Sequence, residues 1–262
     1  MAVVLGLASA AATLFLFPYL QLLIPEHLAR LPARLWVVAL AQSAQSGILC
    51  TFLAWLGLTV GAPYGLDAPW IRAWTERPPR APAIRPRWLL AVLCGAFAGV
   101  LVAGLSLLWP EASSAAATGD GFSWMWRGAL ASFYGAIVEE VESRLLLVSL
   151  FVWLLARLSR RQPGTWIFVA AVLLAAFLFG IGHLPAAVAA GVARTPLQGT
   201  RIVVLNMPAG TVFGALYWKL GLEHAMVAHF LRRPPAARRD AGALGVTLWR
   251  GKVPRSAPSA LR

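Results

Sequence analysis

Long uninterrupted apolar runs constrain this chain more than anything else in it. Residues 3–24, 35–60 and 88–109 are each long enough to cross a hydrocarbon core of about 30 Å as a helix of about 20 residues. Further apolar stretches cover 125–156, 165–184 and 202–219, and a shorter piece at 221–231 is too short to span alone. Backbone N–H and C=O groups find no water inside a bilayer, so each span must close its own hydrogen bonds as a helix. The runs also lack the alternation of barrel strands. The expectation is an all-α, polytopic transmembrane helical bundle of about seven to eight helices. With 59% hydrophobic and only 13% charged residues, the composition excludes an ordinary soluble domain.

The formal net charge of +13 raises nucleic acid as a partner, but the basic residues fall in connections and in the tail rather than on one soluble unit. No nucleic acid is expected; membrane lipids are. Arg72, Arg77, Arg80, Arg85 and Arg87 crowd the second connection and Arg157, Arg160 and Arg161 the fourth, whereas the third has Glu111 and Asp120 without Lys or Arg. The positive-inside rule then places the second and fourth connections and the N-terminus in the cytoplasm of a multi-pass cell-membrane protein, with Lys219 and the Arg-rich tail there too if the last apolar piece does not fully cross. Trp88, Trp109, Trp124 and Trp126 suit interfacial anchoring. The first run has no Lys or Arg ahead of it and no clear cleavage site, so it is expected to stay as a helix rather than serve as a signal peptide.

Residues 1–231 read as one transmembrane helical domain without internal repeats, interrupted by a Pro/Arg-rich loop at 77–87 and a small-residue loop at 111–121. From residue 232 the chain turns to Arg, Pro, Ala and Ser, and 232–262 is expected to be a disordered basic tail. Cys50 and Cys94 lie inside apolar runs without metal-ligand spacing and read as packing residues.

Ionisable residues inside apolar helices cost roughly 2.5 to 3.5 kcal/mol each at a helix centre, so they need partners, water or a function. The densest group is Glu139-Glu140-Val141-Glu142-Ser143-Arg144. A helix over 125–156 would be about 48 Å long, so it is expected to tilt strongly or break, leaving this cluster near an interface or a water-filled cavity. Glu140 and Arg144, four apart, can pair on one face, while Glu139 lies about 100° away and stays available as a proton acceptor. His183 ends the 165–184 run with Phe179 one turn earlier. Gly210 and Gly214 form a small-xxx-small packing face ahead of His224 and His229. The two last histidines are about 140° apart on a helix and cannot chelate one metal as an i, i+4 pair would, and the HExxH zinc signature is absent. An interfacial salt bridge explains the glutamates alone equally well. Carboxylates, an arginine and histidines on three helices together favour a polar site inside the membrane.

Glu139-Glu140-xxx-Arg144, Phe179-xxx-His183 and Gly210-xxx-Gly214 leading to His229 resemble, in order and spacing, the CPBP family of intramembrane proteases (CAAX protease and bacteriocin-processing enzymes, Abi-like). That family includes CAAX prenyl endopeptidases of the Ras-converting type. The resemblance covers about residues 125–231. It implies an intramembrane endopeptidase cleaving a membrane-associated or lipid-modified substrate, with Glu139 as general base on a water held with His183. Glu140 and Arg144 would be the supporting pair, Phe179 would pack beside them, and His229 would help to stabilise the oxyanion. The residue types suit that chemistry: a partly desolvated carboxylate is a better base, and imidazole donors can hold a tetrahedral oxyanion. No cofactor is expected; zinc is the alternative that the family's frequent description as metalloproteases brings with it. One departure stands out, since the family has Asn or Asp four residues after the last histidine and this chain has Arg233. Arg233 and the short last helix raise the alternatives of a disrupted reading frame and of a catalytically dead scaffold or immunity protein. Intramembrane Glu, Arg and His also build proton-coupled transporters.

Overall fold

The computed structural model describes residues 1–76, 82, 84–109, 121–160, 162–189 and 192–232. Among them every regular element is helical. In chain order these are α1 (Ala2–Leu23), α2 (Pro25–Ala29), α3 (Leu35–Gly61) with a 3₁₀ turn at Ala62–Tyr64, α4 (Pro69–Thr75) and α5 (Trp88–Leu107). Then come α6 (Gly121–Tyr134), π-wound segments at Gly135–Glu139 and Val141–Val148, α7 (Ser149–Ser159), α8 (Thr165–Gly182), α9 (Leu184–Ala189), α10 (Pro196–Leu220) and α11 (Leu222–Leu231). The all-α bundle is therefore the architecture, and the protein is a membrane protein. The basic tail and most of both connecting loops lie outside the described residues.

Four helical stretches, Ala2–Leu23, Leu35–Tyr64, Trp88–Leu107 and Thr165–Ala189, are long and apolar enough to cross a membrane. The two other long helices, 121–159 and α10, carry most of the ionisable groups of the bundle interior. One core joins them, from Leu5 of α1 through Cys50 of α3, Ala98 of α5, Leu145 of the second π-segment and Ala171 of α8 to Phe213 of α10 and Ala225 of α11.

The helix over 121–159 does not break, contrary to one of the two expected outcomes. Tyr134, Glu140 and Val148, at the junctions of its segments, all keep right-handed helical dihedrals. The sequence change from apolar to charged is accommodated by widened turns instead, whose i→i+5 bonds admit an extra residue per turn without leaving backbone groups unpaired. α10 starts at Pro196, six residues before its apolar run. Thr195 and Gln198 form a capping box there, with bonds of 3.2 and 3.1 Å to each other's backbone N–H, and proline occupies the first turn.

The short α11 is set by the loop between α3 and α5. Gly221, at φ 91°, turns the chain sharply between α10 and α11, and a side chain there would be strained and would collide with Pro69. The N–H of Leu222 donates to the carbonyl of Asp67 at 3.1 Å. The Glu223 carboxylate accepts from the N–H groups of Trp70 and Ile71 at 2.9 and 2.8 Å, satisfying the first turn of α4 from across the loop. Asp67 in turn grips Arg72 through two hydrogen bonds, which hold that guanidinium above its ordinary pKa. Together these contacts fix α11 against α4.

Candidate active site

Glu139 and Glu140 sit where the two π-segments meet, and the winding sends their side chains in different directions. Glu140 is fully buried. Its Oε2 lies 3.2 Å from Arg144 Nε, an ion-pair distance without hydrogen-bond alignment, and its Oε1 is 2.7 Å from Nδ1 of His229. A charge with no access to water needs this much company. Arg144 is as buried: its Nη2 donates to the Gly210 carbonyl at 3.3 Å, and its guanidinium lies over the rings of Phe179 and Phe213, 4.6 and 5.5 Å from their centroids.

Glu139 is different. Its side chain is 24% exposed, and its Oε2 faces Nε2 of His229 at 3.7 Å and Nε2 of His183 at 4.0 Å. These distances are longer than a direct hydrogen bond, and a water beside the three atoms could bridge them. His183 holds its ring through Nδ1, 2.7 Å from the carbonyl of Phe179. A carbonyl only accepts, so Nδ1 carries the proton and, in the neutral ring, Nε2 presents a lone pair toward Glu139. His229 follows the same pattern with the Glu140 carboxylate behind its Nδ1.

Four helices therefore converge. The 121–159 helix supplies Glu139, Glu140 and Arg144; α8 supplies Phe179 and His183 through its last turn; α10 supplies a carbonyl and a ring; α11 supplies His229. All six residues singled out in the sequence meet here. His224 does not: its Nε2 accepts from the N–H of Arg87 at 3.2 Å and its ring stacks on Trp88 at 4.3 Å.

Two contributors were not visible as such in the sequence. Phe213 stacks on His229 at 4.9 Å and 26° while also meeting Arg144, so it is wedged between these two members of the site. Gly135 lies under His229, where a Cβ would stand 2.8 Å from Nε2. Only glycine leaves the imidazole room to lie between Glu139 and Glu140. Gly210 and Gly214 face Ala176 and Val172 of α8, bringing α10 close to the helix that carries His183. Arg232, just after α11, lies within electrostatic range of Glu139, Glu140 and His229. Arg233 lies outside the described residues.

The atoms with lone pairs open to a shared point are Oε2 of Glu139 and Nε2 of His183 and His229; a metal would have to be held by these. Among the described residues no group of three or more His, Cys, Asp or Glu has metal-holding geometry.

Residues 121–232, from the start of α6 to the end of α11, match the Rce1-like family model, type II CAAX prenyl endopeptidase Rce1-like. The matched family is one of the CPBP-type intramembrane proteases, to which this segment is similar. The match takes in a little under half of the chain and contains all of the converging residues. No curated protein and no solved structure matches the chain. The match supports a peptidase of the CPBP type, and the glutamates, arginine and histidines lie on the elements the family model covers.

Proposed function

We propose that the chain is an intramembrane endopeptidase that hydrolyses a peptide bond in a membrane-associated or lipid-modified protein, without a metal. The observation that carries this is the contrast between a fully buried Glu140 held by Arg144 and His229 and a partly exposed Glu139 facing two imidazoles at distances beyond a direct hydrogen bond. Water held between Glu139 and His183 loses a proton to Glu139 and its oxygen attacks the scissile carbonyl. The tetrahedral intermediate collapses with cleavage of the C–N bond, and the proton on Glu139 passes to the departing amine. His229 faces the oxyanion once its Nε2 has taken up a proton from solvent, its Nδ1–H donating to the Glu140 carboxylate behind it. Glu140, Arg144, Phe179 and Phe213 hold that imidazole in place. The positive-inside pattern supports a cell-membrane location with the N-terminus in the cytoplasm.

Cleavage of membrane-anchored peptides by the purified chain in lipid tests the proposal. Turnover that persists in chelator and is lost in Glu139→Gln is the expected outcome. Loss in chelator with recovery on adding zinc would replace the metal-free mechanism by one in which Glu139, His183 and His229 are ligands. Arg233, where the family has Asn or Asp, favours a second proposal, a peptide-binding scaffold without turnover. A silent wild type that becomes active as Arg233→Asn would establish it.

A further inference from the structure

A second feature of the bundle lies on its outer side, away from the glutamates. A cavity of about 810 Å³ opens between α5 and α10, with a volume typical of sites for small amphiphiles. Its walls are apolar along the helices, including Leu90, Phe97 and Leu216, and two of these, Leu90 and Phe97, are 40% and 59% exposed. Its polar lining is entirely basic: Arg85 and Arg87, which lead into α5, and Lys219, at the end of α10. The walls run from residue 90 to 97 on α5 and from 212 to 220 on α10, so the groove continues about 10 Å into the bundle from its charged end.

The cations are placed for an external anion. Among the described residues no carboxylate pairs with any of the three, and the Lys219 ammonium rests over the ring of Trp218, 3.5 Å from its centroid. A groove with an apolar length and an all-cationic mouth is complementary to one kind of molecule, a chain-bearing lipid with a negative headgroup. A zwitterionic lipid would fill the apolar part without using the charges, and free phosphate would use the charges without the apolar part. We propose that this groove is a binding site for an anionic phospholipid, whose phosphate lies against Arg85, Arg87 and Lys219 and whose acyl chain lies between α5 and α10.

The position gives such a lipid a bearing on the site without its touching the reacting atoms. α10 carries Gly210 and Phe213, and α5 packs against α11 where Gly95 meets the backbone of Ala228, one residue before His229. A lipid seated between α5 and α10 holds apart or draws together the helices that fix Arg144 and His229. Binding does not depend on turnover and is measured separately from it.

The full chain, purified from bilayers containing equal phosphatidylglycerol and phosphatidylcholine of matched acyl chains, is weighed with its retained lipid by native mass spectrometry. Phosphatidylglycerol is expected to be retained by a factor on the order of a hundred, roughly fivefold of preference being lost with each of Arg85→Gln, Arg87→Gln and Lys219→Gln and nearly all of it in the triple variant. Ala215→Trp, which fills the groove and leaves the cations in place, is expected to abolish retention, and it decides the matter if the triple variant does not fold. Helicity and thermal unfolding in phosphatidylcholine report folding. Equal retention of the two lipids overturns the proposal, as does an undiminished preference in either folded variant. Preferential retention of a prenylated peptide over phosphatidylglycerol would assign the groove to substrate and overturn it equally.

Discussion

Glu139 and Glu223 each lie next to another ionisable residue in apolar helices of this protein, and they have opposite situations. Glu139, beside Glu140, is partly exposed and points at imidazole nitrogens that have lone pairs. Glu223, beside His224, points at two backbone N–H groups 2.9 and 2.8 Å away. Both sit in the membrane-domain helices, and both are followed by residues of similar polarity. What distinguishes them is the partner. A carboxylate anchored through one oxygen by two fixed donors is a structural brace, and one whose neighbours are themselves acceptors is left with a proton to take.

The largest expected effect falls on Glu139. Replacement by Gln keeps size and leaves Glu140, Arg144 and the histidines where they are, so cleavage should fall by about 10²–10⁴-fold with unchanged thermal unfolding. Cleavage that survives at near wild-type rate would move the proton acceptor elsewhere, to His183 or His229, and would erase the contrast between the two glutamates.

Arg144→Met probes the brace behind the site. It leaves the Glu140 carboxylate buried with His229 alone, and a broken buried pair costs about 3–5 kcal/mol, read as a lowered unfolding midpoint in detergent. Combining it with Glu140→Leu removes both charges and should restore most of that stability. It should not restore cleavage, because His229 has then lost the acceptor behind its Nδ1. A double variant that cleaves well would reduce the pair to packing.

Gly135→Ala is smaller in chemistry and more specific in place. The added methyl would stand 2.8 Å from His229 Nε2 and must push the ring away. A displacement of about 1 Å at a reacting group costs about 10²-fold in rate. Gly128→Ala, on the same helix with nothing within 4 Å of its added Cβ, is the matched control and should leave the rate unchanged. Equal effects of the two would mean that helix stiffness rather than room for His229 is being measured.

The sequence made some of this visible and left some hidden, for reasons of distance along the chain. Glu140 and Arg144 are four apart, so helical periodicity alone brings them together, and it also turns Glu139 aside. The convergence of α8, α10 and α11 on that cluster needed the resemblance, because no local rule connects residue 139 with residues 183 and 229. The π-winding was not legible, since it answers to a packing demand across helices and has no residue signature of its own. α4 was missed for a related reason: seven residues with proline at the first turn carry little periodicity, and the acceptor for its first-turn N–H groups is Glu223, far away in sequence. Phe213 was present in the apolar run preceding α11 but only the fold reveals that it stands between Arg144 and His229.

The smallest effect is the sharpest test of the comparison. Glu223→Gln keeps an oxygen at the position that accepts from Trp70 and Ile71, and an amide oxygen has the same two lone pairs for that purpose. Stability and cleavage should both stay within about 0.5 kcal/mol of wild type, the range of a neutral substitution. Glu223→Leu removes the acceptor, leaves the first turn of α4 unsatisfied and should cost about 1–2 kcal/mol, as loss of a helix cap does. The same change from carboxylate to amide thus silences one glutamate and spares the other. If Glu223→Gln proved as damaging as Glu223→Leu, the charge itself would matter at α4, and Glu223 would have to be counted with Glu139 as a working carboxylate rather than a brace.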